Sequence, residues 1–173
     1  MTSNFSKTLL LATLSATFTL ADRRVPDDNF AIEGDESTAT INMRYVPETD
    51  EVEFIVSLRN SYSWVGMALG AQDMTPYTDM LVFYSGTSFS PPMYEDRVSA
   101  GFREPNIDRF NNLADHPDGG YYEHSDEDRV TFFVRRALDT DDLEDFVIPL
   151  DEEFDIGYSL NDLDGQMSPY TYH

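Results

Sequence analysis

Strict alternation of apolar and polar residues is the feature that most limits what this chain can fold into. Ala39, Ile41, Met43 and Tyr45 alternate with Thr38, Thr40, Asn42 and Arg44. After the turn sequence Pro47-Glu-Thr-Asp50, Val52, Phe54, Val56 and Leu58 alternate with Glu51, Glu53, Ile55 and Ser57. A period of two places one set of side chains on one face of a strand, so this stretch predicts a hairpin with one buried face. Ser63–Leu69 and Met80–Tyr84 are apolar on both faces, as central strands are. Alternation returns at Val130, Phe132 and Val134, and again at Phe154, Ile156, Tyr158 and Leu160. No window of useful length carries a helical period with caps; Asp139–Phe146 allows one or two helical turns at most. Turn residues divide the runs at short intervals, which predicts an all-β sandwich or barrel. Residues 102–128 are the least regular part and hold His116 and His124.

The first residues read differently. Lys7 precedes the apolar run Thr8–Leu20, and Thr19-Leu20-Ala21 offers a small-residue cleavage site. That is the pattern of a secretory signal peptide over residues 1–21, leaving one domain over residues 22–173. The run is too short for a comfortable membrane span, and no other segment is apolar enough for stable membrane insertion. The expected location is therefore secreted, in the extracellular space.

Charge and composition exclude several functions. The net charge is −22 and the only lysine is Lys7. A field of that sign repels nucleic acid and anionic membranes, favours cationic partners and binds divalent cations loosely. There is no cysteine. Thiolate metal sites, iron–sulfur clusters and covalent C-x-x-C-H haem attachment are thus excluded. Neither G-x-S-x-G, a P-loop, G-x-G-x-x-G nor H-E-x-x-H occurs. The Asp/Gly stretches at Asp118-Gly119 and Asp164-Gly165 fail the EF-hand spacing.

Four segments, in order, carry a resemblance. They are Ser63-Trp-Val-Gly-Met-Ala-Leu-Gly70, Met74-Thr-Pro-Tyr-Thr-Asp79-Met-Leu-Val-Phe-Tyr84, Thr131-Phe-Phe-Val-Arg-Arg136-Ala-Leu-Asp139-Thr, and Asp155-Ile-Gly-Tyr-Ser-Leu followed by Tyr172-His173. They resemble the DOMON family's "GWVAIGFG", "M-x-G-S-D-M-V-V-x-W", "T-F-x-F-x-R-P-L-D-T" and closing "IWAxG…YH". The second segment has one more residue between methionine and aspartate than the family loop, and Pro76-Tyr77-Thr78 replaces its Gly-Ser pair.

The resemblance implies an immunoglobulin-like β-sandwich of about nine to eleven strands. In the cytochrome branch, similar to the haem domain of cellobiose dehydrogenase, it implies a non-covalent haem b at one end of the sandwich. The axial ligands carried over are Met74 and His173. Leu81, Phe83 and Tyr158 are the expected apolar walls, and Arg136 is the expected partner of a haem propionate. A thioether and an imidazole fill both axial positions, which suits outer-sphere electron transfer rather than turnover chemistry. The implied partner is then a separate redox protein. A second reading is a haem-free module that binds an extracellular sugar, with Tyr121, Tyr122, Tyr170 and Tyr172 as stacking residues. Plainer roles stand beside these: Trp64, Leu81, Phe83 and Tyr158 as core, Arg136 as an ion pair with Asp139 or a neighbouring strand, and His116 and His124 as solvated loop residues.

Overall fold

The computed structural model describes residues 28–31, 39–71, 75–86, 90–101, 105–117, 119–124 and 128–162. The expected signal peptide, Met74, Tyr170, Tyr172 and His173 lie outside the described residues. Within them the chain is all-β, without a helix, and forms two antiparallel sheets. No helix among these residues is long and apolar enough to cross a membrane.

The first sheet contains β1 (Asp28–Ala31), β2 (Ala39–Val46), β3 (Glu51–Arg59), β8 (Ala114–Asp115), β9 (Tyr121–His124) and β10 (Arg129–Ala137), in the order β1-β2-β3-β10-β8, with β9 also paired to β10. The second contains β4 (Tyr62–Leu69), β5 (Asp79–Tyr84), β6 (Met93–Val98), β7 (Asn106–Ile107) and β11 (Ile156–Asp162), in the order β11-β4-β5-β6-β7.

The predicted hairpin is β2 and β3, with Val46 opposite Glu51. Its turn closes on Asp50, which takes the left-handed backbone that Asp tolerates (φ 58°). Tyr45 donates a hydrogen bond to the Asp50 carboxylate at 2.7 Å. The register matches the sequence alternation: Ala39, Ile41, Met43, Val52, Phe54, Val56 and Leu58 are all buried. They meet Val65, Met67, Leu69, Leu81, Phe83 and Ile156 of the second sheet in one apolar cluster. Phe83 packs on Phe132 across the two sheets, with ring centroids 5.4 Å apart. Each such side chain, once buried, contributes about 1.5–3 kcal/mol.

Two parts differ from the expectation. The irregular stretch 102–128 contains the short strands β7, β8 and β9. The Asp139–Phe146 segment makes no helical turn. There Asp139 accepts from the Asp141 amide, Thr140 from the Asp142 amide and Asp142 from the Glu144 amide. Such local side-chain acceptors compete with helical hydrogen bonds.

Candidate functional site

The inner faces of the strands become charged at one end of the sandwich. On β5 that face reads Asp79, Leu81, Phe83, and on β6 Asp96 stands opposite Leu81. On β10 it reads Val130, Phe132, Val134, Arg136. The connection from β10 to β11 crosses this end and brings Asp145 and Phe146 down onto it. Its position is set partly at Gly70, whose φ of +67° suits glycine. A side chain there would run into the Phe146 ring, 2.3 Å from where a Cβ would stand.

Arg136 is the centre of the cluster, with its side chain wholly inaccessible to solvent. Its Nη1 donates to Asp79 Oδ2 at 2.6 Å. Its Nη2 donates to the Phe146 carbonyl at 3.1 Å and lies 3.2 Å from Asp145 Oδ2. Asp79 Oδ2 also accepts from the Phe146 amide at 2.8 Å. Asp145 Oδ2 accepts from Asn112 Nδ2 at 2.8 Å and from Thr140 Oγ1 at 2.6 Å. Asp96 Oδ2 accepts from the Asn112 amide at 3.0 Å.

Every one of these bonds to a carboxylate falls on an Oδ2. The Oδ1 atoms of Asp79, Asp96 and Asp145 are buried and have no partner. One carboxylate oxygen from each residue lies within 4.8 Å of one from each of the others. Removal from water disfavours the ionised carboxylates. Burial pushes Asp79 up to about 6 against the opposing pull of Arg136. Asp96 is pushed up to about 7, by burial first and then by the charges of Asp145 and Asp79.

The expected site residues are distributed as follows. Leu81 and Phe83 are fully buried between the sheets, where opposing side chains fill the space. Tyr158 is half-buried and packs against the same cluster. Arg136 is brought to Asp79 and Asp145, not to Asp139. Both of its terminal nitrogens are engaged inside the protein, which leaves neither for an external carboxylate.

The two loop histidines are held rather than solvated. His116 Nε2 lies 3.2 Å from Glu53, a carboxylate buried on the outer face of the first sheet. Arg135 meets the same carboxylate at 3.2 Å, and Arg44 also pairs with it. His124 Nε2 is 3.2 Å from Thr131 Oγ1, and its ring stands edge-on to Tyr122. Tyr121 and Tyr122 are exposed on the β9 strand.

The outer face of β11, β4 and β5 is unusual for a sandwich, because it is apolar. Gly157 pairs with Ala68, and Ala68 with Met80; Gly66 pairs with Val82. All are buried, although no third sheet lies over them among the described residues. Trp64 lies beside Gly66, within 3.3 Å of where a Cβ would stand. Outer faces of antiparallel sheets are normally polar.

Sequence reasoning flagged Arg136 but missed Asp79, Asp96 and Asp145 as its company. The only available signal was a charged residue at the inward phase of an otherwise apolar strand. That signal is visible for Asp79 and Arg136 and absent for Asp145, which lies in a loop. No protein-family model matches the chain, and no curated protein matches it.

Proposed function

We propose that this chain is a secreted DOMON-type module, an immunoglobulin-like sandwich, that holds one haem b non-covalently and passes single electrons to a separate redox protein. The observation that carries the reading is the apolar outer face of β11, β4 and β5. Small residues at its centre, Gly66, Ala68 and Gly157, stand beside Met80 and Val82, all of them buried, with the half-buried Trp64 next to Gly66. A planar macrocycle needs walls of this kind. The inner-face residues Leu81 and Phe83 support the wall from behind, as core.

In this reading Met74 and His173 would hold the haem group. Met74 directly precedes the Thr75–Thr78 turn that leads into β5. β11 ends at Asp162, opposite Tyr62, so it leaves the sheet at the end away from that turn. When bound, the group supplies a one-electron couple. The thioether of Met74 would favour its reduced form.

Asp79 of the second segment and Arg136 of the third, 57 residues apart, meet at 2.6 Å, so two of the resembling segments come together in the fold.

The test is a haem titration of residues 22–173 followed by absorption. The expected result is a saturable Soret band at one haem per chain, with sharp low-spin bands after reduction. These bands should be lost in both Met74→Ala and His173→Ala. A titration without saturation would remove the haem reading. The exposed pair Tyr121 and Tyr122 favours sugar binding as the second reading, and soluble oligosaccharides should then quench tyrosine fluorescence.

A further inference from the structure

The buried end of the sandwich contains more negative charge than its protein partners neutralise. Asp79, Asp96 and Asp145 face one guanidinium, that of Arg136. Two of these carboxylate residues are at most 3% exposed, and the Asp145 side chain is 2% exposed. Their hydrogen bonds are one-sided. Backbone amides, Asn112, Thr140 and Arg136 all donate to the Oδ2 atoms, and each Oδ1 is left buried without a donor. An orphaned buried acceptor costs about 1–3 kcal/mol, more when charged. Three such oxygens from one cluster are not the pattern of a self-contained ion-pair network.

A cation held among the three carboxylates would give such oxygens a partner. With all three carboxylates ionised and Arg136 included, the cluster would hold two net negative charges, the number a divalent ion removes. The donors are hard carboxylate oxygens, with no histidine or cysteine among them, which selects calcium or magnesium over zinc. The oxygens lie within 4.8 Å of one another. Magnesium keeps several of its waters and rarely takes an all-protein cage, so a sealed site of protein oxygens favours calcium.

We propose that Asp79, Asp96 and Asp145 form a buried site for one calcium ion. The ion fastens the β10–β11 connection to β5 and β6. Main-chain carbonyls or water complete its coordination. The site is independent of the haem reading and stands whether or not haem binds.

The experiment is calorimetric titration of the EDTA-treated full chain with calcium chloride, with magnesium chloride in parallel, at physiological ionic strength. An acidic surface binds divalent ions loosely, so stoichiometry and variants decide. One calcium per chain is expected, bound at least tenfold more tightly than magnesium, with a higher Tm in calcium than in EDTA. Asp96→Asn and Asp145→Asn should each weaken binding at least tenfold. The exposed changes Asp151→Asn and Glu152→Gln should leave it unchanged. Asp79→Asn is not used, because it also breaks the pair with Arg136. If neither variant folds, anomalous scattering from crystals of the native chain grown with terbium locates the ion directly. A peak between the three carboxylates upholds the site. A peak elsewhere, no stoichiometric binding to the native chain, or equal loss in the exposed controls overturns it.

Discussion

Arg136 shows how one residue can be conspicuous in sequence while its partners are not. It occupies the inward phase of β10 after Val130, Phe132 and Val134, so alternation alone places it in the interior. Its partners come from β5 and from a loop, 57 and 9 positions away, and no local pattern identifies them. Burial without those partners would be prohibitive, so the pair is an obligate unit. Arg136→Met leaves Asp79 and Asp145 buried and uncompensated. It should lower unfolding free energy by about 3–5 kcal/mol in urea denaturation. A loss below about 1 kcal/mol would mean that the carboxylates reach water or another cation. Glu53 illustrates the opposite case. It sits at the outward phase of β3 and is nonetheless buried, because Arg44, Arg135 and His116 close over it.

At the scale of elements, the long strands were legible and the short ones were not. β2, β3, β5 and β10 each carry enough alternation or apolar length to be read from sequence. β7, β8 and β9 are two to four residues long and form by pairing with β6 or β10. Their existence depends on a neighbour far along the chain. The β10–β11 connection is similar. Its turns are built from local Asp and Thr acceptors, which a charge-rich sequence disguises as a helix. What fixes its height over the sheet is the contact between Phe146 and Gly70. Gly70→Ala should displace the Phe146 ring and, with it, the amide that donates to Asp79. The positive φ alone costs about 1 kcal/mol. The clash adds to this, so a fall in Tm larger than that of an exposed glycine change such as Gly119→Ala is expected. Equal shifts in the two variants would show that the contact does not position the connection.

Across the whole molecule, two sheets share one apolar core, and charge is placed in three ways. The chain has a net charge of −22, and one group of acids, such as Asp139, Asp141, Asp151 and Glu152, is exposed. A second group surrounds Glu53 on the outside of the first sheet. The third is sealed at the sandwich end around Arg136. The apolar outer face of β11, β4 and β5 breaks the usual polar-out pattern, and it is this face that the haem reading occupies. Sequence could place Met67 and Leu81 in the core, but it could not distinguish which side of a doubly apolar strand meets the other sheet. Leu81 and Phe83 turn out to face inward, into the core, and Gly66, Ala68 and Met80 outward. The most direct measurement of the central claim is near-infrared magnetic circular dichroism of the oxidised, haem-loaded chain, because it reports the axial ligands. The account predicts the charge-transfer signature of methionine–histidine ligation, converted to another ligation in Met74→Ala. A bis-histidine or high-spin signature in the unaltered chain would contradict it.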